Sequence, residues 1–227
     1  MWDAVVAELQ NDFRCLRYDT RGHGASSVSA QVFEIAELAD DLAALLDGVG
    51  IKAAHIAGLS LGGMTAQSFA VRHPKRVASL TLMATTAYMP TEAAWNERAA
   101  LVRRRGTQVI IEPTLERWFT EGFRSGEAEA LCSVQEAFCG MDPSGYASCC
   151  EAIGRMDLRP ELANIKAPTT IIAGEQDPVT PVSMARALCD GIRGAKLHVL
   201  SPAAHLLAVE QPELTARYLS EASLGSS

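Results

Sequence analysis

The chain has 227 residues, 48% hydrophobic and 21% charged, with a formal net charge of −7. This is enough for one large domain, or a core domain carrying an inserted cap, with the composition of an ordinary globular protein. The acidic balance, with no basic stripe on any periodic element, argues against a nucleic-acid partner. No signal peptide opens the chain and no apolar run reaches the ~18 residues that span a bilayer, so a cytoplasmic protein with no membrane partner is expected.

Taken in chain order, the first β-prone run is Arg14 to Tyr18, closed by Asp19 and a glycine-punctuated turn, Thr20-Arg21-Gly22-His23-Gly24. From Glu34, Ile35, Leu38, Ala39, Leu42, Leu45 and Val49 recur at helical spacing, with Glu34, Glu37, Asp40 and Asp41 on the other face and Gly48 and Gly50 as the stop. A short strand, Ala53 to Ala57, enters Gly58-Leu59-Ser60-Leu61-Gly62-Gly63; a helix follows and ends before Pro74; Val77 to Met83 is a further buried strand. This alternation predicts an α/β fold with a mostly parallel sheet and flanking helices.

Residues 89–158 break the rhythm. They are helix-rich, contain no clear strand and read as an inserted helical cap, with 1–88 and 159–227 forming the core. Arg103, Arg104 and Arg105 read as a solvated helix face. None of the six cysteines forms a C-x-x-C pair, so a zinc ribbon is not expected; Cys132, Cys139, Cys149 and Cys150 read as small buried hydrophobes. The α/β rhythm resumes with a strand at Thr169 to Ala173, a helix from about Pro181 to Cys189, a strand at Lys196 to Leu200 and a helix from about Pro212 to Ala222.

The G-x-S-x-G pentapeptide at Gly58 to Gly62 stands between a predicted strand and a predicted helix. In that setting it is a sharp turn that presents Ser60 at its tip, with glycines where side chains would collide. The helix that follows aims its N-terminus at the serine, which makes the Leu61 amide a candidate oxyanion donor. A serine nucleophile needs a base. His55 and His198 lie inside strands and His73 ends a helix, whereas His205 follows the last strand. Asp177 follows the Thr169 strand and is the candidate acid, with Asp157 and Asp190 weaker alternatives. The order Ser60, Asp177, His205 suits this architecture. Asp19, Arg21 and His23 read as a loop-stabilising network.

The segment Tyr18-Asp19-Thr20-Arg21-Gly22-His23-Gly24-Ala25-Ser26 resembles the loop after the fourth strand of α/β-hydrolases. Together with the Ser60 turn, Glu116-Arg117-Trp118-Phe119-Thr120, Met156-Asp157-Leu158-Arg159 and Ala203-Ala204-His205-Leu206, it is similar to the 3-oxoadipate enol-lactonases. The resemblance implies hydrolysis of a small carboxylate-bearing enol-lactone in the β-ketoadipate branch of aromatic catabolism, through an acyl-enzyme, with no metal or organic cofactor. An anionic substrate calls for a cation in the cap, so Arg98 and Arg117 are candidate carboxylate partners, and Trp95 and Trp118 candidate pocket walls. Another esterase, a perhydrolase, or a catalytically impaired binding protein are the alternatives.

One departure bears on activity. Family members begin with three further strands, and a loop after the third supplies a second oxyanion amide. Here Arg14 to Tyr18 corresponds to the fourth strand, so the core is expected to be N-terminally incomplete. The Arg14 strand then has no central neighbour, and Leu61 is left as the obvious oxyanion donor. The segment Leu206-Leu207-Ala208 is also more apolar than the family pattern.

Overall fold

A computed structural model describes residues 1–29 and 32–225. A short helix, α1 (Asp3–Leu9), opens the chain. The run Arg14 to Tyr18 forms no strand, contrary to expectation. Strand propensity yields a strand only where a neighbour offers backbone groups, and this run borders a cavity instead of a sheet. The turn after it is closed by Gly22 N–H donating to Ser27 O and by Asp19, which accepts from the Ala25 amide. Helix α2 (Ile35–Gly48) starts at a capping box formed by Glu34 and Glu37 and buries Ile35, Leu38, Ala39, Leu42 and Leu46. Gly48 is its last residue, and the chain reverses at Gly50, whose φ of 72° suits glycine.

The α/β alternation follows with β1 (Ala54–Leu59), α3 (Leu61–Arg72) and β2 (Val77–Met83). Residues 89–158 then fold as helices joined by short turns: α4 (Glu92–Arg105), α5 (Ile111–Trp118), α6 (Glu121–Gly126), α7 (Ala128–Cys139) and α8 (Pro143–Arg155). Thr91, Thr120 and Asp142 cap three of them by accepting from amides of the first turn. The basic run on α4 is not simply solvated, because the Arg103 guanidinium pairs with Glu151 of α8 and ties the two helices together. The cysteine expectation holds for Cys149 and Cys150, which are buried, and fails for Cys132, which lies on the surface of α7. The core closes with β3 (Thr169–Gly174), α9 (Val182–Gly191), β4 (Lys196–Leu200), one unanticipated turn, α10 (Leu207–Glu210), and α11 (Pro212–Leu224).

The four strands form one parallel sheet in the order β1-β2-β3-β4. Side chains of β3 alternate between its two faces. Ile171 and Ala173 join a cluster with α2, α3 and α9, while Ile172 joins Val5, Phe119 and Leu207 on the other side. Because the strands run parallel, the loops after β1, β3 and β4 leave the sheet at one edge. Those loops carry Ser60, Asp177 and His205. Open parallel sheets build their sites at this edge.

Candidate active site

Ser60 sits between β1 and α3 with φ 55° and ψ −117°, a conformation L-residues rarely hold. Its amide donates to Met83 O of β2, and its carbonyl accepts from Thr85 Oγ1 at 2.8 Å, so the end of β2 holds the turn through both backbone groups. A Cβ at Gly58 would stand 2.1 Å from Gly62 O, so position 58 must be glycine. The expectation for Gly62 needs correction: a Cβ there would meet nothing within 4 Å. The second tight position is Gly63, where a Cβ would press to 2.6 Å from the Thr85 side chain. Leu61 N–H is the first amide of α3 and has no partner within the helix, which leaves it available to an oxyanion beside Ser60.

The three predicted side chains come together. His205 Nε2 lies 2.9 Å from Ser60 Oγ, and His205 Nδ1 lies 2.8 Å from Asp177 Oδ2. With Nδ1–H donating to the carboxylate, Nε2 presents its lone pair to the serine hydroxyl. Asp177 and His205 are 3% and 2% exposed, so little water competes for these bonds. Burial alone would push the Asp177 carboxyl up. Hydrogen bonds from His205, the Thr180 hydroxyl and the Thr180 amide outweigh it and hold the group below its ordinary range. Thr180 Oγ1 donates at 2.7 Å, and the amides of Val179 and Thr180 donate to the other oxygen at 2.7 and 3.0 Å. The two loops are drawn together at Gly174, where a Cβ would stand 2.3 Å from Ala204 O.

Helices of the 89–158 segment stand over the serine, and the cavity beneath them has a volume of about 1580 Å³. Trp95, Arg98, Arg117, Trp118 and Tyr146 line it together with Ser60 and His205. Trp118 lies against His205, with ring centroids 6.4 Å apart, and its carbonyl accepts from Leu206 N–H. Arg98 is half-buried. Its Nε donates to Tyr146 Oη at 2.8 Å and its Nη2 to Thr114 Oγ1 at 3.0 Å. Arg117 is more exposed and donates to Pro113 O; partial burial, then the nearby Arg98 charge, push its guanidinium pKa down. Among the described residues neither arginine has a carboxylate partner within 4.0 Å.

The remaining histidines are engaged elsewhere. His55 bonds Ser79, His73 pairs with Asp40, and His198 stacks on Tyr218. Asp157 is taken by Arg159. Arg21 reaches Asp41 of α2 in a two-pronged pair instead of Asp19, so the expected loop network is anchored to a helix. His23 lines the same cavity as Ser60, with Nδ1 3.4 Å from Arg21 O. Thr180 and Tyr146 were not anticipated. Thr180 carried a usable signal: three residues after an aspartate, before a helix, is where a side-chain turn of this kind forms. Tyr146 carried none. Among the described residues no three His, Cys, Asp or Glu side chains gather as a metal site.

This parallel sheet, with a strained serine turn on its rim, is the α/β-hydrolase fold. Residues 1–119 match the alpha/beta hydrolase fold family, and the chain belongs to it. Within that family it is 40% identical over 213 residues to 3-oxoadipate enol-lactonase 2 of Acinetobacter baylyi, covering 94% of this chain and 79% of that protein. Identity to 3-oxoadipate enol-lactonase 1 of the same organism is 35% over similar coverage. The crystal structure of the enol-lactonase from Burkholderia xenovorans LB400 superposes with a TM-score of 0.94 at 35% identity, covering 97% of this chain and 84% of that one.

Proposed function

We propose that this chain is a serine carboxylic-ester hydrolase that opens a small carboxylate-bearing enol-lactone of the 3-oxoadipate type. The observation that carries the reading is the continuous hydrogen-bonded line from the Asp177 carboxylate through His205 to Ser60 Oγ. It ends in a cavity whose far wall holds an arginine with no carboxylate partner among the described residues. The two enol-lactonase relatives support the substrate class.

In this reading Ser60 Oγ attacks the lactone carbonyl as His205 Nε2 takes its proton. The Leu61 amide stabilises the oxyanion. The ring C–O bond breaks, and the imidazolium returns its proton to the departing enol oxygen, leaving an acyl-serine. Water, deprotonated by the same imidazole, attacks the acyl carbonyl; the C–Oγ bond breaks, the imidazolium returns its proton to Ser60 Oγ, and the released acid's enol relaxes to the ketone. Asp177 holds the imidazole in its working tautomer and steadies its positive charge throughout. Arg98, held by Tyr146 and Thr114, is the favoured partner of the substrate carboxylate. Its planar fork suits a carboxylate, and no acid among the described residues competes for it.

The test is hydrolysis of 3-oxoadipate enol-lactone beside uncharged esters of similar size, together with fluorophosphonate labelling. The proposal expects labelling that vanishes in Ser60→Ala. It also expects Arg98→Ala to raise KM for the anionic lactone about 10- to 100-fold, the value of a charge-assisted hydrogen bond, while barely affecting the neutral ester. Equal loss on both substrates would remove Arg98 from this role. Absent labelling of the folded chain would favour the second reading, a hydrolase-like binding protein, for which the single obvious oxyanion amide argues.

A further inference from the structure

His205 hangs from a stretch of irregular backbone, residues 201–206, between β4 and α10. Its bond to Asp177 sets the tilt of the imidazole. The reach of Nε2 to Ser60 Oγ also depends on where the main chain of that loop is held. Two amides flank the histidine. Leu206 N–H donates at 2.9 Å to Trp118 O, at the end of α5. Ala204 N–H donates to Glu210 Oε2. The other oxygen of Glu210, Oε1, accepts from Thr120 N–H at 2.7 Å, two residues beyond Trp118. Glu210 reaches both because α10 folds back on the loop: Glu210 N–H donates to Leu206 O and Gln211 N–H to Leu207 O. Glu210 is half-buried. Among the described residues no arginine, lysine or histidine lies within 4.0 Å of it. Its two oxygens go to main-chain amides of two different segments instead, and a charged acceptor makes both bonds strong.

We propose that Glu210 is a positioning residue for the reaction, and the inference rests on the hydrolase reading of Ser60 and His205. Its carboxylate joins the His205 loop and residues 118–120 of the helical segment into one frame. Trp118 stands against His205, with ring centroids 6.4 Å apart. The frame therefore places the base and the aromatic wall beside it together, and neither shifts without the other. The role needs a carboxylate. Glutamine has one acceptor oxygen, and its nitrogen accepts nothing, so in the same place it serves only one of the two amides. The unserved amide frees the loop and the wall to separate. A displacement of about 1 Å at the reacting groups costs about 10²-fold in rate.

The experiment compares the 227-residue chain with Glu210→Gln, which keeps the side-chain volume. Three quantities are read: the rate at which a fluorophosphonate labels Ser60, the far-downfield proton signal of the His205–Asp177 bond, and the urea midpoint. The expected result is a folded variant whose labelling is roughly 10- to 100-fold slower and whose proton signal is weakened. A merely structural role lowers the midpoint and leaves both readings of the folded chain unchanged; that result overturns the proposal. The bond is also cut from its other end. Thr120 has φ −63°, the value proline holds, and Phe119 before it is extended, as proline's predecessor prefers. Thr120→Pro thus deletes the N–H without bending the chain, while Thr120→Ala deletes the same hydroxyl and keeps the N–H. Labelling is expected to be slower in the proline variant than in the alanine one. Thr120→Pro and Glu210→Gln together are expected to cost less than the product of their separate effects. Equal rates in the proline and alanine variants overturn the proposal, and this pair decides it where Glu210→Gln does not fold. A wild-type chain that takes no label brings down the hydrolase reading alone. The role of Glu210 is then decided by the proton signal in the same variants, and an unchanged signal overturns it.

Discussion

At Asp177 two opposing effects meet. Burial raises the carboxyl, and its hydrogen bonds lower it by more. The Thr180 hydroxyl is among the largest contributors that are not themselves part of the proton path: it donates to Asp177 Oδ2, the oxygen that His205 also uses. Thr180→Val keeps the volume and removes that donor. A hydrogen bond to a charged group is worth about 1.5–3 kcal/mol, and the carboxylate without it is no longer held in the orientation that fixes the imidazole. We expect kcat to fall about tenfold or more with KM nearly unchanged, and Thr180→Ser to restore it; steady-state kinetics on any turned-over ester decides. The convergence of Ser60, Asp177 and His205 was legible in the sequence because each follows a strand and one lies in a glycine-bounded motif. Arg98 and Arg117 were equal cationic candidates in the sequence, which offered no ground to choose between them. Its Tyr146 partner lies 48 positions away on another helix, a distance over which no local pattern carries information.

The β1–α3 element shows which glycines the turn needs. Gly58 and Gly62 look equivalent in the motif, yet only Gly58 faces backbone, with Gly62 O in the path of any side chain. Gly58→Ala must therefore displace the turn. We expect it to destabilise the fold by about 4 kcal/mol, as severe backbone conflicts do, or to prevent soluble expression. Gly62→Ala should leave the denaturation midpoint almost unchanged, because open space surrounds it. Paired urea unfolding curves test both. The same distinction, between what a pattern demands and what a neighbour permits, governs the other elements. β2 and β3 were readable because each is a compact apolar run between turn residues, and α2 because its helical period and the glycines that stop it agree. Arg14 to Tyr18 has strand composition but meets no backbone partner, and pairing cannot be read from a strand's own residues. The turn α10 was hidden in Leu206-Leu207-Ala208, whose apolar side chains join the cluster of Val5 and Met83, with Leu206 also lining the cavity.

For the whole molecule, titration links the site to stability. His23 lines the cavity and Asp177, in a different loop, bonds the Nδ1 side of His205; both have pKa values below their ordinary ones. For His23 the first cause is burial, which disfavours the imidazolium; the Arg21 carbonyl and the Asp19 charge oppose it only in part. Cys149 approaches the same ring nitrogen, with Sγ 4.0 Å from Nδ1. A group with a lowered folded pKa binds its proton more readily when unfolded. Its contribution is therefore full above the unfolded value and is lost as pH falls through the folded one. For His23 that loss begins below about pH 6.5, and for Asp177 below about pH 3.9. Stability should thus decline in two separate acid windows instead of one. His23→Asn should flatten the upper window and leave the lower one. Asp177→Asn should flatten the lower one, at the cost of a lower plateau at neutral pH, because the Thr180 and His205 donors lose their charged acceptor. Urea midpoints measured from pH 3 to pH 8 for the three proteins separate the contributions. A wild-type profile flat between pH 7 and pH 5 would show that the His23 imidazole is as easily protonated in the folded chain as in the unfolded one.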